Sequence, residues 1–144
     1  MVMNELLALK VYQELHEQEQ EILFAAALLH DVEKRSTTVK EEDGRITSKG
    51  HAKKGVFCSR SILFRNHTPS FEIKEQVAKL VRYHGLPIWI FEKPNPVKAL
   101  YQASLEVDTK LLAILTTADL LGRISDDQEE MLYRVDLFLS LIHI

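Results

Sequence analysis

The 144-residue chain has a single cysteine, and that scarcity removes two classes of protein at once. Cys58 alone can form no internal disulfide and no zinc motif built on cysteines, and it suits a reducing compartment. Charge of one sign is lacking too: 18 basic residues stand against 21 acidic ones, a formal net charge of −3. So even a balance argues against a duplex nucleic acid footprint or a membrane-surface patch, although a small phosphorylated ligand needs only local charge. No apolar run approaches membrane-spanning length, and Phe24 to Leu29 is far too short. The start, MVMNELLALK, has neither the basic region nor the cleavage site of a signal peptide, so the expected location is the cytoplasm. With 46% hydrophobic and 27% charged residues, the composition is that of an ordinary globular protein, and the length suits one domain over 1–144.

What is present reads as helix. Leu6, Leu7, Leu9, Val11 and Leu15 repeat with helical spacing over residues 4–17. EQEQ at 17–20 is either a polar break or a solvated turn, and ILFAAALLHDVEK then predicts a second, largely buried helix. β-Branched residues flank Asp43-Gly44, the dipeptide suited to a type I′ turn, which predicts a two-stranded ribbon over 36–48. Further helices are expected from Ser48 or Gly50 to Phe64, from Phe71 to His84, from Val97 to Leu105, from Thr109 to Ile124 with Asp108 as cap, and from Asp127 onward. GLPIWIFEKPNP, holding three of the four prolines, reads as a loop. Cys58, Phe57 and Ile62 read as core, His67 as a loop residue and His143 as a tail residue. The apolar end LFLSLIHI suits docking on the core or on a partner, such as a second copy, or a chain that is part of something longer.

Four features could carry chemistry: His30-Asp31, His51 after Gly50, His84 before Gly85, and Asp119 in TTADLLGR. Taken singly, each histidine has a structural explanation at a helix end. Asp119 is harder to explain that way, because its neighbours Leu112, Ile114, Leu115, Ala118 and Leu121 predict a buried helix. A carboxylate is costly there unless it is paired or ligating. Together, imidazoles and carboxylates are the standard donors for Mn, Fe, Ni, Co or Zn, and for Mg if oxygen dominates. A cation would offset the charge of an interior aspartate.

ALLHDVEK resembles the ALLHDxxK signature of the HD-domain superfamily, and the order HD, GH, helix-ending His and late AD resembles its metal-dependent phosphohydrolases. The nearest likeness is to the HD domains of bacterial tRNA nucleotidyltransferases, where the pair is also followed by a short acidic hairpin and a Gly-His, here EEDGRITSKGH. The resemblance covers about residues 20–124. It implies an all-α, HD-domain-like bundle of about six to seven helices, with one small β-hairpin near residues 37–48.

The resemblance further implies that His30, Asp31 and Asp119 ligate a divalent metal ion. It also implies that His51 and His84 either hold a second ion or contact substrate phosphate, and that Lys34 lies near both. Asp31, Lys34, His51 and His84 become the catalytic candidates. Arg82, Arg123, Lys53 and Lys54 are phosphate-contact candidates, most of them better explained as surface charges. Trp89 is either a buried loop anchor, the reading placed first, or a pocket wall on which a base stacks.

The resemblance breaks at one ligand, because the family carries an earlier histidine on the preceding helix. His16 is the only histidine upstream, and in an antiparallel helix pair it falls at the turn, about 15 Å from the level of His30. Glu5 is the ligand-capable residue expected at the right level; otherwise the ligand is absent. Glu33 stands where the signature has a small glycine and is expected to crowd the site. The implied activity is hydrolysis of a phosphate ester of a nucleotide or RNA end. The alternative is a catalytically weakened module that binds a nucleotide or a protein partner.

Overall fold

A computed structural model describes residues 1–65 and 70–143, so the expectation for His67 lies outside the described residues. The first helical stretch is two helices rather than one, α1 (Val2–Ala8) and α2 (Lys10–Gln13), separated by Leu9 in an extended conformation. The bend lets α1 lie on the central helix while α2 turns toward the helix that follows. There the Tyr12 hydroxyl donates to Gln20 O (3.1 Å) and Gln20 Nε2 donates to Tyr12 O (2.9 Å). EQEQ is the first turn of α3 (Glu17–Leu29), its acids placed favourably at the helix N-terminus. α3 stops at Leu29, short of the expected end. Tight i→i+3 turns follow, with Val32 N donating to Leu29 O (3.1 Å) and Lys34 N to Asp31 O (3.0 Å), before the single turn α4 (Lys34–Thr37).

β1 (Val39–Lys40) pairs antiparallel with β2 (Ile46–Thr47) as expected, but not through a type I′ turn. That turn needs positive φ at both central residues, and here only Gly44 has it (φ 87°). The Gly44 amide bonds Glu41 O (3.0 Å) and the Glu41 amide bonds Arg45 O (2.7 Å), the pattern of a three-residue loop closed by a left-handed glycine.

α5 (His51–Phe64) and α6 (Phe71–Tyr83) pack on each other. The face of α5 that turns inward is Gly55, Val56 and Ser59, not the expected one: Phe57 and Ile62 are exposed and Cys58 is half-buried. Gly55 fixes that face, because a Cβ there would already lie 3.1 Å from Val81 on α6. The expected proline-rich loop is largely α7 (Leu86–Trp89) and a 3₁₀ turn (Ile90–Glu92). Pro87 suits the start of a helix, and Ile88 and Ile90 are buried in the core, so packing orders the segment.

α8 (Pro96–Ser104), α9 (Thr109–Leu121) and α10 (Gln128–Ile142) complete the molecule, and the Asp108 carboxylate caps α9 by accepting from Lys110 N and Leu111 N. α9 is the axis of the all-α fold, buried along almost its whole length and covered by α1, α3, α6, α7 and α10. Val135 and fully buried Phe138 lay the apolar end of the chain on the core. Among the described residues, no helix is long and apolar enough to cross a membrane.

Gly122 ends α9 where α1 begins. A Cβ there would lie 2.7 Å from Val2 Cγ2 and 2.8 Å from the Val2 backbone. Gly122→Ala is therefore expected to push α1 off α9 and destabilise by about 1–3 kcal/mol, read as a lowered urea midpoint; an unchanged midpoint would show that α1 yields freely.

Candidate metal centre

Three histidines arrive on three different pieces of chain and are oriented by the same device. His30 caps the end of α3, His51 opens α5 after Gly50 (φ 78°), and His84 closes α6. Each donates its Nδ1–H to the carbonyl three residues earlier: His30 to Ala27 O (2.6 Å), His51 to Ser48 O (2.8 Å), His84 to Val81 O (2.7 Å). A carbonyl oxygen only accepts, so the hydrogen sits on Nδ1 in all three rings and Nε2 is left to face the centre. His84 is held further by Thr116 of α9, whose hydroxyl donates to His84 O (2.8 Å).

Asp31 stands where these rings converge. Its Oδ2 lies 3.1 Å from His30 Nε2 and 3.0 Å from Lys34 Nζ. Its Oδ1 lies 3.5 Å from His51 Nε2 and 3.9 Å from His84 Nε2, yet it is buried and makes no hydrogen bond among the described residues. Asp119, on the inner face of α9, places Oδ1 3.2 Å from His30 Nε2 and is gripped by the Arg123 guanidinium through both carboxylate oxygens. Two donor groups result, His30–Asp31–Asp119 and Asp31–His51–His84, and Asp31 belongs to both.

The electrostatics are those of a site built for positive charge. Burial alone would lower the His30 pKa, but the carboxylates of Asp119 and Asp31 raise it to about 10. Burial would raise the two carboxyls. His30 and Lys34 hold Asp31 well below the carboxylate range, and His30 and Arg123 hold Asp119 at about 2. Burial pushes His84 down to about 4, with the positive charge of His30 adding to it. A neutral His84 leaves a bare lone pair on Nε2, facing His51 Nε2 at 3.1 Å. Two such lone pairs repel unless a proton or a cation lies between them. The orphaned Asp31 oxygen beside them makes the same demand, so the donor set fits a divalent cation.

A family model described as HD domain matches residues 2–127. The chain belongs to the HD-domain family. Members of this family are in general metal-dependent phosphohydrolases that bind divalent metals. No curated protein and no solved structure gives a match.

The remaining residues read from the HD-domain sequence divide around a cavity of about 240 Å³ beside the cluster. Lys34, Arg123 and Trp89 line it with His51 and His84. Trp89 is half exposed and stacked under Arg134 (5.6 Å), so it is a wall of the cavity and not the expected buried loop anchor. Arg82 lines a neighbouring cavity instead, and Lys53 and Lys54 are exposed and line neither. Glu5, half-buried on α1, belongs to neither donor group. His16 is exposed at the far end of α3, about 20 Å along the helix from His30. Glu33 does not crowd the centre; its carboxylate accepts from Ser36 Oγ and meets Cys58. The motif order does not mark Thr116; its place three residues before Asp119 in an apolar helix is the signal the sequence offers.

Without metal, folding stability should peak near pH 6.5. His30 keeps its proton in the folded state up to about pH 10, so its contribution is complete below 6.5 and drains as pH rises toward 10. His84 refuses a proton until about pH 4 while the unfolded chain accepts one below 6.5, so stability also falls as pH drops from 6.5 to 4. Urea midpoints of chelator-treated protein from pH 4 to 10 check this; a monotonic profile would contradict it.

Proposed function

We propose that this HD domain hydrolyses a phosphate ester, of a nucleotide or an RNA end, at one or two divalent cations shared through Asp31. The likeness of the ALLHDVEK and EEDGRITSKGH segments to the HD domains of tRNA nucleotidyltransferases supports the substrate class. One observation carries the reading: a buried carboxylate oxygen without a hydrogen bond among the described residues, faced by the outward nitrogens of His51 and His84. His30, Asp31 and Asp119 would hold one cation, and Asp31, His51 and His84 a second, with Glu5 as the candidate to complete the first set from α1.

A divalent cation held there supplies Lewis acidity toward a phosphoryl oxygen and makes water acidic enough to serve as nucleophile at neutral pH. The chain's own groups do the rest. Lys34, tethered to Asp31, and Arg123, tethered to Asp119, present cationic donors to the cavity and orient a phosphate. Where only one cation binds, His51 and His84 are free to contact the phosphate. His51, the more exposed of the two, would take up a proton on Nε2 from solvent and pass it to a leaving oxygen. Ile88, Leu120 and Met131 give the cavity an apolar side that limits competing water.

Elemental analysis after loading with Mn, Fe, Ni, Co, Zn and Mg in turn, followed by phosphatase and phosphodiesterase screens with each metal, tests the proposal. Retained metal with turnover of at least one ester is expected; no retained metal under any loading overturns it. A weakened, binding-only module is the second reading, favoured because no residue of α1 joins the donor groups. Nucleotide binding that persists in chelator, without turnover, would select it.

A further inference from the structure

We infer that the ligand spans two cavities and carries a second phosphate, so that a nucleotide with two separated phosphates binds better than one with a single phosphate. The inference rests on the phosphate-ester reading above. A second cavity, of about 320 Å³, adjoins the metal-side one and shares Gly85 and Trp89 with it. Arg82, Tyr83, Lys93 and Gln102 line it, and among the described residues no carboxylate does.

The cations of the two cavities differ in kind. On the metal side Lys34 and Arg123 are each tied to a carboxylate, and Arg134 beneath Trp89 is tied to Glu92 and Glu130. Arg82 and Lys93 make no ion pair among the described residues. The carboxylate whose field reaches Arg82, Glu106, is itself engaged by Lys79 at 2.7 Å. Two cations without an ion-pair partner that line one cavity give it a positive potential, which favours an anion there.

Between the cavities lies the Trp89 ring, half exposed and fixed by Arg134, which also donates to Ile88 O (3.2 Å) and Glu92 (3.1 Å). A ring held this way is a stacking platform for a base or sugar. Gly85 leaves the passage beside it without a side chain. A phosphate at the metal centre, a nucleoside body against Trp89 and a second phosphate at Arg82 and Lys93 would use all three features at once.

Trp89 is the only tryptophan in the chain, so its fluorescence reports ligand directly. The protein would be titrated, with metal and in chelator, with adenosine 3′,5′-bisphosphate and with adenosine 5′-monophosphate. The bisphosphate is expected to bind about tenfold more tightly, the scale of one added charge-assisted contact. Arg82→Ala/Lys93→Ala should abolish that preference while leaving monophosphate affinity and turnover of p-nitrophenyl phosphate unchanged. Both side chains are exposed, so the variant should fold, which circular dichroism verifies. Equal affinity for the two nucleotides, or a preference that survives in the double variant, overturns the inference. In the parent protein, a bisphosphate preference without any ester turnover would instead count against the hydrolase reading alone.

Discussion

Asp31→Asn is expected to lose its divalent metal and about 100- to 1,000-fold of phosphate-ester turnover, the range found when one preorganised electrostatic group is removed from a reacting centre. Asparagine keeps the shape of the side chain and the i→i+3 turn around it, since that turn uses the Asp31 backbone oxygen. What disappears is the charge common to both donor groups, together with the anchor for Lys34. Metal content measured beside turnover separates the two losses. If occupancy survives and turnover falls, Asp31 mainly positions Lys34. If both survive, the centre is not where hydrolysis happens.

Asp119→Ala should cost the metal-free protein about 3 kcal/mol, the low end for breaking a buried pair by removing one partner. The side chain is 3% exposed and sits against a buried His30 that is cationic at neutral pH. Arg123, 45% exposed, loses little when its partner goes, because solvent screens it. The cost therefore falls on His30, which can limit it by giving up its proton. Urea unfolding in chelator should show a lower midpoint and a flattened alkaline limb of the pH profile. A midpoint within error of the parent would mean that Asp119 is tolerated at no expense, and the case for a metal-compensated interior carboxylate would fall with it.

Much of this arrangement could be read from the chain before its fold. The helical spacing located most helices to within a few residues, and the mid-helix position of Asp119 forced the question of what offsets its charge. The motif order gave His30, Asp31, His51 and His84, and the fold brings all four together with Asp119. Features set by tertiary packing were not legible. Leu9 breaks a good helical pattern because α1 lies mainly on α9, while α2 is tied to the start of α3 through Tyr12 and Gln20. Prolines at 87, 94 and 96 signal a loop, yet burial of Ile88 and Ile90 makes helix of it. Phe57 looks like core, but the inward face of α5 follows the smallness of Gly55 and Ser59. Arg82 and Arg123 are indistinguishable as letters, and only the fold sends them to different cavities.

The three histidines take their aim from carbonyl groups at positions 27, 48 and 81, and every amino acid has a carbonyl. The aim is thus inherited from the path of the main chain, with no dependence on which side chains stand at those positions. A saturation scan should find the imidazoles unforgiving and Ala27, Ser48 and Val81 answerable only to packing. Relatives could then keep the same aim while drifting freely at the residues that enforce it, and a comparison of letters would pass over the enforcers altogether.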